Sequence, residues 1–413
     1  MNATRERLVV IGADAGGMTA ASQARRRRPA ERLDIVAVDR GRHASYSACG
    51  IPYWIGGAVG SAADLVARTV ADFRKQDIDV RLRTEAVGLD LDRGEVTVRD
   101  LDGGGESRLG FDQLVLGMGA VPRHPDIDGW DAPNVFGVQT LDDGEAVRAA
   151  IAGEGVRRAV IVGGGYIGLE MAEAFVERGL DVTVVEAGPQ PMSTLDPDMG
   201  ELVADAVEGL GITLHRSEQV TSIGVESGRA VAVVTDRRSI PADLVVLGLG
   251  VRPNTALARD AGITIGPTGG VVTDVRMRTA SHQNVWAAGD CVQTMHRVSR
   301  SPVHIALGTH ANKQGRVAGI NLGGGYATFP GVIGTAVTKV CSLEVARTGL
   351  REDEAARAGF RYVSSVLKST TRAGYYPGAQ PITTKLIAEK RSGRLLGAQI
   401  VGQEGAAKRI DVL

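Results

Sequence analysis

The sequence predicts an α/β chain that carries one strand–turn–helix–strand unit twice and closes in a mixed α+β tail. Three observations lead there. The 413 residues suffice for two to three domains at about 150 each. Glycine accounts for 55 of them and aromatic residues for only 4%, so glycine stands at about 13% against the usual 7% or so. The excess does not follow the every-third-residue period of collagen, and 43% hydrophobic residues are too many for a disordered linker; glycine is being used inside globular domains. Finally, the pattern that begins near Arg7 begins again near Ala159.

Taken in order, Arg7 to Ile11 is an apolar strand that runs into the turn Gly12-Ala13-Asp14-Ala15-Gly16-Gly17. An Ala-rich helix follows to about Arg28, then a strand from Leu33 to Val38 that ends at Asp39. Val87 to Arg99 and Phe111 to Leu116 are expected as strands of an inserted or edge sheet, with Asp102-Gly103-Gly104-Gly105 as a turn. The second copy runs from Ala159 to Val162 into Gly163-Gly164-Gly165-Tyr166-Ile167-Gly168, through a helix to Arg178, and along a strand from Asp181 to Val185 that ends at Glu186. Continuous apolar runs of this kind are strands buried on both faces. Ala230 to Val234 and Leu244 to Leu249 repeat the small β-insertion. From about Gly331 the texture changes, with a strand expected over Val332 to Val340 and a helix over Glu352 to Ala358.

The repeated turn has a physical reading. Glycines let the backbone approach a pyrophosphate, the helix N-terminus offers free N–H groups and partial positive charge, and an acid about 20 residues on accepts from ribose hydroxyls. Asp39 lies 22 positions past Gly17 and Glu186 lies 18 past Gly168. The second copy fits Gly-x-Gly-x-x-Gly fully; the first has Asp14 at the central glycine. Both are therefore Rossmann-like dinucleotide sites. With Lys plus Arg at 47 and Asp plus Glu at 48, the chain has no general basis for nucleic-acid affinity. No apolar stretch approaches the roughly 20 residues that span a bilayer, and no signal-peptide pattern opens the chain. Cys49, Cys291 and Cys341 are far apart in sequence, which favours a reducing, cytoplasmic setting over a disulfide framework. The histidines lack metal-ligand spacing, so no metal is expected.

Leu114-Val115-Leu116-Gly117-Met118-Gly119-Ala120-Val121-Pro122 and Asn284-Val285-Trp286-Ala287-Ala288-Gly289-Asp290 resemble the flavin motifs of the FAD-dependent pyridine nucleotide-disulfide oxidoreductases. The resemblance implies a glutathione reductase-like fold: a discontinuous FAD domain over 1–120 and 245–325, an NAD(H) domain over 121–244, and a dimerisation domain over 326–413. FAD would lie on Gly12, Ala15, Gly16, Gly17, Asp39, Ala120 and Asp290, with Asp290 on the ribityl chain. NADH would lie on Gly163, Gly165, Tyr166, Ile167, Gly168, Glu186 and Gly250. Glu186 repels a 2′-phosphate and so favours NADH over NADPH, and Tyr166 matches the ring that covers the flavin until nicotinamide arrives.

Ser45-Tyr46-Ser47-Ala48-Cys49-Gly50-Ile51-Pro52-Tyr53-Trp54-Ile55-Gly56-Gly57 sets the chemistry. In the glutathione reductase branch a second cysteine follows five residues after the first; that position is Trp54, so Cys49 works alone. A lone sulfur beside a flavin can cycle through a sulfenic acid, a persulfide or a mixed disulfide. The segment resembles coenzyme A disulfide reductases and their persulfide-reducing relatives, which implies Thr19, Gln23, Arg26 and Ser45 as coenzyme A contacts. NADH oxidases and peroxidases share the lone cysteine but place a histidine where this chain has Ala15. A redox relay to a protein partner is a further alternative. Gly374-Tyr375-Tyr376-Pro377-Gly378 resembles a motif whose first tyrosine reaches the cysteine of the other subunit, implying Tyr375 as a proton donor in a homodimer. Relatives continue beyond Leu413 through a helix and a Tyr-Ala-Pro-Pro segment, so the third domain is expected to be incomplete.

Overall fold

The computed structural model describes residues 5–413. The chain divides into two compact units. One comprises the residues up to Ser47, Ala63–Val121 and Val251–Val332; the other comprises Ala48–Ala62, Pro122–Gly250 and Ile333–Leu413.

The first unit is built on a parallel sheet in the order Val285–Ala287, Gln113–Leu116, Glu6–Ile11, Leu33–Val38, Ile78–Arg81. Val9 pairs with Val36 on one side and Leu114 on the other. Leu8, Val9, Val10, Leu114, Val115 and Leu116 are fully buried, as expected of central parallel strands. The Ala15–Arg25 helix packs on the Gly308–Leu322 helix. Glycine permits the approach: a Cβ at Gly319 would lie 2.6 Å from Gln23 Cβ. The first helix stops at Arg25 and is capped by Arg26, short of the expected Arg28, because Pro29 disfavours helical conformation in the residue before it. The expected strand over Val87 to Arg99 is two strands, Thr84–Asp90 and Glu95–Asp100, which pair antiparallel. Gly94, at φ +65°, reverses the chain between them. Glu106–Gly110 completes this three-stranded sheet, whereas Gln113–Leu116 belongs to the main sheet.

The second unit repeats the design. Its parallel sheet runs Thr213–Arg216, Asp181–Glu186, Arg158–Val162, Leu244–Leu247, Val135–Phe136, and its antiparallel insertion is Val220–Glu226, Arg229–Thr235, Ser239–Pro241. A separate antiparallel sheet closes the chain in the order Ala336–Val340, Leu343–Gly349, Leu395–Gly402, Pro381–Glu389, Tyr362–Thr370. The strand expected from Val332 starts only at Ala336, after Gly331 and Gly334 adopt positive φ. Lys385 is buried and contacts Asp196 at 3.3 Å, Asp198 at 2.7 Å and Glu352 at 3.1 Å, binding this sheet to the Pro197–Gly209 helix. Along the outermost strand, Val363, Val366 and Leu367 are exposed. Among the described residues no helix is long and apolar enough to cross a membrane.

Candidate nucleotide turns and redox cysteine

The two glycine turns match atom for atom. Gly12 and Gly163 adopt φ +103° and +101°, where a side chain is strained. Gly12 N donates to Val38 O at 2.9 Å and Gly163 N to Val185 O at 2.8 Å. From the neighbouring strand, Gly117 N donates to Ile11 O and Gly248 N to Val162 O, both at 2.7 Å. The third glycine of each turn, Gly17 or Gly168, has its Cα side against the carbonyl of the first. The helix beginning at Tyr166 has only Gly165 as N-cap and so no side-chain cap; its first N–H groups remain open to a phosphate.

The two acids hold these turns. Asp39 accepts from Ala13 N and Gly41 N, each at 2.7 Å. Glu186 accepts from Gly164 N and Gly188 N, each also at 2.7 Å. The spacing that makes both acids expected ribose contacts does not show that each ties its turn to the end of the next strand.

Asp14, standing where the second turn has Gly165, accepts from Tyr46 N at 3.2 Å. Burial pushes its carboxyl up to about 6, with Asp39 and Asp290 adding to the rise against hydrogen bonds from Tyr46 and Ala15. Asp290 follows Gly289, which is at φ +87° and whose N–H donates to Gln314 Oε1 at 2.7 Å. The described residues give the Asp290 carboxylate no hydrogen-bond donor, and desolvation raises its pKa against the pull of His304. A half-buried acceptor without a protein donor suits the hydroxyls of a ribityl chain, so the residues present fit a flavin nucleotide. Ser45, at φ +49°, donates its N–H to Ala13 O at 2.9 Å. The structure thus gathers Gly12, Ala15, Gly16, Gly17, Asp39 and Ser45 at one helix start. Ala120 is buried at the start of a short strand, and Gly250, at φ +78°, accepts from Arg123 N at 2.9 Å.

Thr19 donates to Asn312 Oδ1 at 2.9 Å, and Gln23 accepts from Arg27 at 3.1 Å. Arg26 is exposed and its guanidinium binds no described residue. Tyr166 opens its helix, receives a hydrogen bond from Thr194 Oγ1 at 3.3 Å, and has its hydroxyl pKa raised by burial. Cys49 lies exposed in a single 3₁₀ turn, Ala48–Gly50, that leads into the Ile51–Gly56 helix. Trp54, at the position of the missing second cysteine, is buried. Cys291 and Cys341 are also buried, and burial pushes their thiols up to about 12 and about 11. Tyr375 sits on the hairpin between Tyr362–Thr370 and Pro381–Glu389 and is 91% exposed.

Two nucleotide turns of one design, each on its own parallel sheet, together with an exposed cysteine, define a two-nucleotide oxidoreductase. Residues 6–315 match the pyridine nucleotide-disulphide oxidoreductases and residues 335–413 their dimerisation domain; the chain belongs to this FAD- and NAD(P)H-dependent family. It is 38% identical to an NADH oxidase of Methanocaldococcus jannaschii over 98% of this chain and 90% of the relative. It is also 38% identical to the CoA-dependent NAD(P)H sulfur oxidoreductase of Pyrococcus abyssi, over 97% and 88%. The structure of an NAD-dependent persulfide reductase from A. fulgidus superposes with a TM-score of 0.95 at 39% identity, covering 98% of this chain and 75% of that one.

Proposed function

We propose that the protein is an NADH-dependent flavoprotein reductase of coenzyme A disulfide or a related persulfide, working through Cys49 as its single redox sulfur. The observation that carries this reading is the pairing of an exposed Cys49 with a buried Trp54 at the position of a second cysteine: an internal disulfide is replaced by one sulfur that meets its substrate directly. Bound FAD supplies the electron pair, taken as hydride from the nicotinamide. The first turn, with Gly12, Ala15, Gly16, Gly17 and Asp39, and with Ala120 and Asp290, holds FAD. The second, with Gly163, Gly165, Tyr166, Ile167, Gly168 and Glu186, and with Gly250, holds NADH.

Cys49 thiolate attacks one sulfur of the disulfide, forming a Cys49 mixed disulfide and releasing one thiolate. Two electrons then break the mixed disulfide, restoring the Cys49 thiolate and releasing the second thiolate; each released thiolate takes a proton, one of them from the partner subunit's Tyr375. Thr19, Gln23, Arg26 and Ser45 bind the coenzyme A moiety, with the exposed Arg26 guanidinium suited to its phosphates. The setting is a homodimer in a reducing cytoplasm.

The test is NADH-dependent turnover of coenzyme A disulfide by the wild type and by Cys49→Ser. The variant is expected to keep bound flavin and lose turnover on the order of 10³-fold or more; equal rates would sink the mechanism. Turnover with oxygen or peroxide exceeding that with coenzyme A disulfide would instead favour the oxidase reading.

A further inference from the structure

The segment after Cys49 is held by contacts that the proposed chemistry does not use. The Ile51–Gly56 helix has six residues and ends at Gly57, which is at φ +102°; a helix so short has little stability of its own. Two of its last-turn carbonyls, which lack intrahelical donors, are taken by guanidinium groups. Arg148, from the Leu141–Ile151 helix, donates from Nη1 to the Trp54 carbonyl at 2.6 Å and lies 5.1 Å from the centroid of the Trp54 ring. Arg178, just past the Tyr166–Glu177 helix, donates from Nε to the Ile55 carbonyl at 2.6 Å.

Missing side chains allow the fit. A Cβ at Gly144 would lie 2.8 Å from Trp54 Cζ3, and one at Gly56 would lie 2.6 Å from Glu177 Oε2 and 3.2 Å from Ala174 Cα. One at Gly57 would lie 3.3 Å from the Arg178 guanidinium. The other ionisable groups around this helix are Tyr53 on it and Glu170, Glu173 and Glu177 along the neighbouring helix. Burial, these carboxylates and Cys49 together raise the Tyr53 hydroxyl pKa.

We propose that Arg148 and Arg178 are positioning residues for Cys49: from two different helices they fix the far end of the short helix that follows it, and so fix where its sulfur stands. The inference rests on Cys49 being the redox sulfur. Six helical residues span ~9 Å, so a tilt of ~10° about the clamped end would carry the first residue ~1.5 Å, and a misplacement of ~1 Å can cost about 10²-fold in rate. Arginine suits the task because its planar fork donates while its face stacks on the indole.

The experiment uses the flavin-loaded protein and the variants Arg148→Ala, Arg178→Ala, the double variant, Arg148→Lys and Arg178→Lys. Three readouts apply: hydrogen exchange of the amides of residues 51–57, the pH profile of Cys49 alkylation by iodoacetamide, and kcat and KM with NADH. The alanine variants are expected to exchange these amides about 10-fold faster or more. Their Cys49 alkylation profile is expected to depart from that of the wild type as the sulfur leaves its fixed position, and their kcat to fall roughly 10- to 100-fold with KM for NADH within about twofold. Arg148→Lys should recover part of the loss. A double variant whose alkylation profile, exchange and kcat all stay within about twofold of wild type overturns the proposal. Should the alanine variants fail to fold, the lysine variants decide: reduced kcat at unchanged melting temperature supports it, and kcat within about twofold in both overturns it. If Cys49→Ser kept full turnover, the redox reading would fail, while exchange and alkylation would still report on the clamp.

Discussion

Asp14 is an acid at the start of a helix whose counterpart in the second repeat begins at a glycine. Its carboxyl titrates near 6 in the folded chain, above the ordinary aspartate value near 3.9. Between those two values the folded state binds more protons than the unfolded one, so stability falls as pH rises from about 4 to about 6 and stays lower above that. Asp14→Asn keeps an acceptor for Tyr46 N and removes the ionisation. It is expected to stabilise the protein by roughly 1–3 kcal/mol at pH 7.5 and to leave stability near pH 3.5 almost unchanged, as denaturant unfolding at the two pH values would measure. An aspartate that stayed ionised at no cost would give equal stabilities at both. The same substitution should tighten flavin retention above pH 6, because a neutral amide does not repel a pyrophosphate.

At the scale of elements, the two strand–turn–helix units make separable predictions. A Cβ on Gly163 would sit 2.6 Å from Gly248 O, and Gly12 faces the Gly117 carbonyl even more closely; both positions also demand left-handed backbone. Gly12→Ala should yield protein without flavin. Gly163→Ala should keep the flavin absorbance yet be reduced by NADH on the order of 10²-fold more slowly, as rapid mixing would record. Loss of flavin from both variants, or from Gly163→Ala alone, would reverse or dissolve the assignment of the two turns.

These units were legible because their signals are local: an apolar run, a glycine turn and a spaced acid lie within about 35 residues. Other features were hidden because their partners are distant in sequence. Nothing near Trp54 announces Arg148 or Arg178, and nothing near Asp39 shows that one of its oxygens accepts from the backbone of Ala13. The split of Val87 to Arg99 into two strands was missed for another reason: one left-handed residue, Gly94, turns an otherwise strand-like stretch.

For the whole molecule, the edge of the C-terminal sheet invites a second copy. Val363, Val366 and Leu367 are 50%, 45% and 64% exposed along the outermost strand, which pairs on one side only, and Tyr375 and Tyr376 follow on its hairpin. An exposed apolar edge strand is a liability unless covered. Leu367→Glu is expected to shift the proposed homodimer toward monomer by 10-fold or more in dissociation constant, on the order of 1.4 kcal/mol, in sedimentation equilibrium; an unchanged constant would place the interface elsewhere. The buried, poorly ionised Cys291 and Cys341 have a further consequence. In the proposed chemistry an oxidising equivalent on Cys49 has no second reactive sulfur in the same chain to share it, so it is held as a mixed disulfide, a persulfide or a sulfenic acid, each carrying atoms from outside. The mass carried at Cys49 in protein taken from cells would then be a memory, naming the small thiol that the protein last met.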